Sequence, residues 1–203
     1  MTPNKPRLIG LTGGIACGKS SLTKALRAHG AVVIDADAIA HELTAPGSQA
    51  LPRLQERFGA DIVEEGQLNR QRLGELVFSD AAALRDLNTI LHPLIFERMD
   101  RQISEHGDQR ALVADVPLLY ETGYDRQCDE VWCAWAPRTA QLERLLERGL
   151  TEDQAWQRIN SQMDAMDKAR RADRVIITTG SLKDNARAVQ RLWDEMIRRT
   201  QDV

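Results

Sequence analysis

The stretch Gly13-Gly14-Ile15-Ala16-Cys17-Gly18-Lys19-Ser20 constrains this chain more than any other. It fits G-x-x-x-x-G-K-[ST], a loop that cradles phosphate. Polyphosphate is a dense cluster of negative oxygens. Glycines let several backbone N–H groups converge on it, and the helix that follows adds the positive end of its dipole. Lys19 supplies a mobile point charge for the terminal phosphates. The Ser20 hydroxyl supplies a hard oxygen ligand for Mg²⁺. Arg7-Leu8-Ile9-Gly10-Leu11 before the loop reads as a buried strand, and Ser21-Leu22-Thr23-Lys24-Ala25-Leu26 after it reads as a helix with Leu22, Ala25 and Leu26 on one face. Strand, loop, helix is the setting such a loop needs, so nucleotide binding follows, with the backbone from Gly13 to Ser21 as its phosphate contact.

The rest of the composition narrows the class. At 203 residues the chain has room for one domain with a small insertion and a sizeable core. A hydrophobic fraction of 42% and a charged fraction of 28% are those of a soluble globular protein. A formal net charge of -3 argues against a nucleic-acid footprint, which makes a domain basic. No apolar run approaches a membrane span, and Met1-Thr2-Pro3-Asn4-Lys5-Pro6 lacks the apolar core of a secretion signal. The expectation is a cytoplasmic protein without nucleic-acid or membrane partners. The cysteines, Cys17, Cys128 and Cys133, are odd in number and form no C-x-x-C, which speaks against disulfides and structural zinc. Cys17 reads either as an oxidisable thiol beside the loop or as a small residue that fits there.

Along the chain, Gly30-Ala31-Val32-Val33-Ile34 reads as a second strand, apolar throughout as in a parallel sheet covered on both faces. It runs into Asp35-Ala36-Asp37. If the chain stays extended, the two carboxylates share a face past the strand's carboxyl end, where open α/β sheets bind ligands. The competing reading makes one of them the N-cap of a helix over Ala38–Leu43. From Pro46 to Gly107 strand-like runs disappear and helical spacing takes over: Leu51, Leu54 and Phe58; Leu73, Leu76 and Val77; then Leu84, Leu87, Ile90 and Leu91. This is too long for an ordinary connection. It reads as an acceptor-binding subdomain or as a packing elaboration. Within it stand Arg70 and Leu91-His92-Pro93. Pro93 suits the first turn of a new helix, which leaves His92 near that helix's N-terminus.

Arg110–Leu119 reads as a third strand, with Asp115 placed as a Mg²⁺-facing or outer carboxylate. Glu130–Ala136 and Asp173–Thr178 read as the fourth and fifth strands, and the segment after Gly180-Ser181 as an amphipathic helix carrying Ala188, Val189, Leu192, Trp193 and Ile197. Strands alternating with helices predict an α/β fold with a parallel sheet wrapped on both faces. Between strands four and five lies a charged helical hairpin. Arg144 and Arg148 share a face, as do Arg158 and Gln162, and Thr151-x-x-Gln154 fits a capping box. Two readings compete. One is a solvated, salt-bridged surface. The other is a lid whose arginines close on a transferring phosphoryl group.

Together these motifs resemble the dephospho-coenzyme A kinase family, nearly over the full length and in order. Leu11-Thr12-Gly13-Gly14-Ile15 with Gly18-Lys19-Ser20 is similar to its phosphate loop, and Asp35-Ala36-Asp37 to its D-A-D step. Asn69-Arg70-Gln71-Arg72-Leu73 with Val77-Phe78, Leu91-His92-Pro93, Asp115-Val116-Pro117-Leu118-Leu119-Tyr120-Glu121, Gln141-Leu142-x-Arg144 and Arg158…Gln162…Lys168…Arg171-Ala172-Asp173 resemble further signatures. The resemblance implies a P-loop NTPase fold in three parts. These are a nucleotide core of residues 1–45 and 108–203 with a five-stranded parallel sheet, a helical coenzyme-binding insertion of residues 46–107, and a helical lid of residues 138–166. It implies transfer of the ATP γ-phosphoryl group to the ribose 3′-hydroxyl of dephospho-coenzyme A, with Mg²⁺, in a monomer or weak homo-oligomer. By position, Asp37 accepts the hydroxyl proton, Lys19 clamps phosphate, Ser20 binds Mg²⁺ with Asp115 near, and Arg144 with Arg148 serves ATP from the lid. Asp35, Arg70, His92, Pro117, Leu118 and Glu121 fall to the acceptor.

The chain departs from that pattern at four places. Ala16-Cys17 replaces Gly-Ser in the loop, so the backbone at Ala16 is expected to avoid conformations that only glycine tolerates. Trp135 replaces an Asp, Ile177-Thr178 replaces Asp-Asn, and Asn69 replaces an Asp. Three rivals remain on the residues alone: a kinase for another small hydroxylated or nucleotide acceptor, a GTP switch, and a nucleotide-binding module without catalysis. The switch needs an N-K-x-D after a core strand. Asn4-Lys5 precedes the first strand and lacks the Asp.

Overall fold

A computed structural model describes residues 5–200, apart from the side chains of Phe78, Ser79 and Ala81. Met1–Asn4 of the leader reading and the Phe78 side chain of the Val77-Phe78 step therefore lie outside the described residues. In chain order, β1 (Arg7–Gly13), α1 (Lys19–Ala28), β2 (Val32–Asp35), α2 (Ala36–Leu43) and α3 (Ala50–Phe58) come first. A short hairpin of β3 (Val63–Glu64) and β4 (Gln67–Leu68) leads to α4 (Arg70–Ser79) and α5 (Ala81–Glu105). Then follow β5 (Ala111–Asp115), β6 (Glu130–Trp135), α6 (Arg138–Glu147), α7 (Glu152–Asn160), α8 (Ala165–Arg171), β7 (Arg174–Ile177) and α9 (Leu182–Arg199). The chain divides into two compact units, Met1–Ile34 with Glu105–Val203, and Asp35–Ser104.

The first unit is built on a five-stranded sheet of order β2-β5-β1-β6-β7. β1 pairs in parallel with β5 and β6, and β6 with β7. Side chains alternate along β1. Ile9 and Leu11 join Leu22 and Leu26 of α1, Val189, Trp193 and Met196 of α9, and Val113, Trp132 and Ile176 of the other strands in one cluster. Leu8, Leu112, Val131 and Cys133, of opposite parity, are buried as well, and Leu119 closes over Gly10 on their side. Burial on both faces is why these strands read as continuous apolar runs. The third strand stops at Asp115 instead of running to Leu119, because Pro117 has no N–H to continue the ladder.

The second unit has its own small core of Leu54, Ile62, Leu73, Val77 and Ala83, against which Phe58, Leu76, Leu84, Leu87, Ile90 and Leu91 pack. The helical faces expected there therefore hold. Two expectations do not. The segment is not free of strand: β3 and β4 pair antiparallel. Their turn holds Glu65 at φ 49° and Gly66 at φ 78°, the two positive values a type I′ turn requires. Strands of two residues carry too little alternation to be read from sequence. Pro93 does not open a new helix either, for α5 runs through it. An interior proline costs about 3 kcal/mol in lost hydrogen bond and clash. Packing of Leu84, Leu87 and Leu91 before it, and burial of Leu94, Ile95 and Met99 after it, outweighs that cost.

Two further local readings are settled. The chain does not stay extended through Asp35-Ala36-Asp37. Asp35 is the N-cap of α2, with its Oδ1 accepting from the Ala38 N–H at 3.0 Å. The two carboxylates do not share a strand face, and Asp37 stands in the first helical turn. Likewise α7 ends at Asn160 with Ser161 as its cap, so Gln162 lies beyond the helix that carries Arg158. The Thr151/Gln154 capping box forms as read. Among the described residues no helix is long and apolar enough to cross a membrane.

Candidate active site

β1 lies between β5 and β6, with Leu11 beside Asp115 on one side and Gly13 beside Ala134 on the other. The loop leaving β1 therefore has the carboxyl ends of two strands flanking it. A Cβ at Gly13 would stand 2.6 Å from the Ala134 carbonyl oxygen, and one at Gly14 would stand 2.8 Å from the Ala165 Cβ. These glycines are there to let β6 and α8 approach. The Cys17 N–H donates to the Gly14 carbonyl at 3.1 Å. Gly18, at φ 76°, caps α1 in the left-handed region.

Ala16 is also left-handed, at φ 55°. The expectation that it would avoid glycine-type backbone is wrong. An L-residue enters that region for about 1–2 kcal/mol, and here Arg144 holds it, its Nη1 donating to the Ala16 carbonyl at 2.9 Å. Arg144 Nη2 donates to the Thr178 carbonyl at 2.6 Å. Arg144 is thus anchored on the loop and is not a solvated surface charge. Arg148, four residues on, is exposed at the C-cap of α6. Ile15 and Leu142 pack against a buried cluster of Ala16 with Leu145, Ala155 and Ile159 of α6 and α7.

Lys19 and Ser20 open α1. The Lys19 ammonium pairs with Asp115 Oδ1, and Thr23, one turn on, donates its hydroxyl to Asp115 Oδ2 at 2.6 Å. Ser20 is exposed, while the Ser21 hydroxyl turns back to the Gly18 carbonyl at 2.7 Å. Cys17 is buried with its Sγ facing the Ala136 carbonyl at 3.9 Å, and burial pushes its thiol pKa up. A protonated, enclosed thiol reacts slowly, which favours the packing reading.

A second cluster sits past the end of β5. The Pro117 carbonyl accepts from Thr12 Oγ1 at 3.0 Å and from Lys168 Nζ at 2.7 Å. Lys168 is wholly buried and also pairs with Glu121 at 2.8 Å, and Glu121 accepts from the Met163 N–H at 3.1 Å. Leu118 is half-buried beside them. The Arg171 guanidinium lies 4.0 Å over the Tyr120 ring, whose hydroxyl is pushed up to about 12, chiefly by burial.

The remaining expected residues belong to the second unit. Asp35 and Asp37 open α2. Arg70 opens α4 and donates to Thr44 Oγ1 at 2.7 Å. Asn69 before it caps that helix, accepting from the Arg72 N–H at 2.9 Å. Asn caps as well as Asp, so this departure costs nothing locally. His92 stacks on Phe96 with centroids 5.7 Å apart, and burial lowers its pKa.

Sequence reasoning assigned Thr23 no part, and placed Thr12 and Lys168 only inside family-like motifs, without a role for either side chain. Thr23 was findable, being four residues from Lys19 and so on the same helical face. Lys168 stood in a family-like motif, but nothing local showed that it is buried on Pro117 and Glu121. Thr178 was noted only as a departure from the family's Asp-Asn, yet it is buried with its hydroxyl on the Cys17 carbonyl of the loop.

Comparison with known proteins matches this geometry. The family model described as dephospho-CoA kinase covers residues 7–184. A dephospho-CoA kinase of Symbiobacterium thermophilum is 46% identical over 191 residues, spanning 92% of this chain and 80% of that protein. Among solved structures, TT1252 from Thermus thermophilus superposes with TM-score 0.81 at 30% identity, over 95% of this chain and 98% of that one. A dephospho-CoA kinase from Campylobacter jejuni does so with TM-score 0.70 at 26% identity, over 94% and 97%. With the phosphate loop, its lysine and its flanking strand ends already in place, these likenesses establish that the chain belongs to the dephospho-CoA kinase family.

Proposed function

We propose that this chain transfers the γ-phosphoryl group of ATP to the ribose 3′-hydroxyl of dephospho-coenzyme A, giving coenzyme A and ADP. The observation that carries this reading is Lys19. It stands at the N-terminus of α1, at the mouth of the phosphate loop, with its ammonium aimed by the buried Asp115. Phosphoryl transfer asks a protein mostly for positioning and charge neutralisation. The loop backbone from Gly13 to Ser21 cradles the phosphates, Lys19 neutralises charge on the transferring group, and Arg144 adds its own charge where it grips the loop. Arg148 joins it from residues 138–166, which act as a lid. Asp37 accepts the hydroxyl proton of the acceptor. Residues 46–107 hold the coenzyme, with Asp35, Arg70, His92, Pro117, Leu118 and Glu121 serving that substrate.

Mg²⁺ fits the donors present. Ser20 offers an exposed hydroxyl in the first turn of α1, and Mg²⁺ takes few protein ligands beside substrate phosphates. Both oxygens of Asp115 are engaged, by Lys19 and Thr23, so Asp115 serves as an outer carboxylate. When bound, the ion neutralises phosphate charge and orients the leaving group. The chain works in the cytoplasm as a monomer or weak homo-oligomer.

The test is direct. The purified chain is incubated with ATP, Mg²⁺ and dephospho-coenzyme A, and the product's mass and phosphorylation site are determined. Coenzyme A bearing a 3′-phosphate is expected. Unchanged dephospho-coenzyme A, with ATP bound and consumed on another acceptor, would overturn the reading.

A further inference from the structure

Thr178 stands where the family pattern carries an amide side chain, and the structure gives its hydroxyl a different task. Thr178 is buried at the end of β7, and its Oγ1 donates to the Cys17 carbonyl at 2.7 Å. The Trp135 carbonyl is a second neighbour at 3.2 Å, but it already takes the Thr178 N–H at 2.9 Å. A hydroxyl has one proton; Cys17 is the shorter contact, and the Trp135 carbonyl already has a donor. Arg144 closes the ring. It donates to the carbonyls of Ala16 and Thr178 and reaches the Thr178 hydroxyl at 3.4 Å.

The consequence lies in the peptide plane. In a trans peptide the C=O of one residue and the N–H of the next point in opposite directions. Holding the Cys17 carbonyl on Thr178 therefore aims the Gly18 N–H the other way. That N–H belongs to the left-handed cap of α1, immediately before Lys19. A phosphate nest works only while its N–H groups converge; one flipped peptide replaces a donor with a carbonyl oxygen that repels the anion. A Cβ at Gly18 would meet Thr178 Cβ and Oγ1 at 3.2 Å, so the bare glycine also lets the latch sit close.

We infer that Thr178 is a positioning residue for the phosphate loop, latching the Cys17–Gly18 peptide so that the Gly18 N–H faces the phosphates, and that it does not read the nucleobase. This rests on reading the loop as the nucleotide-phosphate site. Its test is therefore made on binding rather than on turnover, with inorganic tripolyphosphate as a probe that has no base.

Thr178→Val keeps the branched shape and loses the donor. A lost hydrogen bond to a buried carbonyl predicts a drop of roughly tenfold in affinity for ATP and for tripolyphosphate alike, with the KM for dephospho-coenzyme A unmoved. Thr178→Ser, which keeps the hydroxyl, restores both affinities. Three results would overturn the latch: ATP weakening while tripolyphosphate does not, Thr178→Ser behaving like Thr178→Val, or tripolyphosphate failing to bind the native chain. If Thr178→Val does not fold, Thr178→Ala against Thr178→Ser carries the same comparison. Should the product assay fail while tripolyphosphate binding follows the hydroxyl, the acceptor assignment falls and the latch stands.

Discussion

Lys19 and Asp115 form an ion pair between the first turn of α1 and the last residue of β5, with Asp115 almost wholly buried and Lys19 partly open. The carboxylate aims the ammonium, and the ammonium keeps the carboxylate from being a lone buried charge. Lys19→Met should abolish turnover and cost about 2–3 kcal/mol of stability, part of it the penalty of the stranded Asp115. Adding Asp115→Asn should recover stability but not activity. Denaturant unfolding of the native chain and the two variants checks this; Lys19→Met as stable as the native chain would mean the pair is energetically idle.

Asp37→Asn should lower kcat by roughly a hundredfold or more, the scale of general-base catalysis, and leave the KM for ATP nearly unchanged. The side chain stays in the first turn of α2, so the helix is preserved. Steady-state kinetics decide it, and undiminished kcat removes Asp37 from the proton path.

Gly13→Ala places a methyl group where the Ala134 carbonyl oxygen is 2.6 Å away. The obstacle is backbone in a paired strand, so the sheet must open. A loss of roughly 2 kcal/mol or more is expected, read as a lower denaturation midpoint at constant slope.

His92 has its pKa lowered from the usual 6.5 by burial. The folded state then binds fewer protons than the unfolded chain between the two pKa values. Stability is full above about pH 6.5 and falls as pH drops below it. Tm measured from pH 8 to pH 5 should decline less for His92→Gln than for the native chain.

The three thiols should resist alkylation in the native state. Burial raises Cys17 and pushes Cys128 and Cys133 up to about 12, so little thiolate exists at neutral pH. Mass spectrometry after iodoacetamide should show slow labelling until denaturant is added. Fast labelling of Cys17 in the folded chain would revive the redox reading.

Much of the fold is legible in the sequence. The five sheet strands could be read because each is a run apolar on both faces, and the helical insertion because its leucines recur at helical spacing. At Asp35-Ala36-Asp37 the sequence left two readings open, and the N-cap is the one that holds. Pro93 was misread because packing on both sides of it carries the helix through. The β3–β4 hairpin was too short to have a period.

By itself the sequence determined the phosphate loop, the succession of strands and helices, and the family, because each is written in residues close together along the chain. Only the tertiary structure decided what holds the loop. Arg144 reaches Ala16 across 128 positions, Thr178 reaches Cys17 across 161, and Asp115 meets Lys19 across 96. No local period encodes such partners. They meet because a parallel sheet brings the ends of β5, β6 and β7 to the end of β1, and burial there leaves each carbonyl and charge needing a partner.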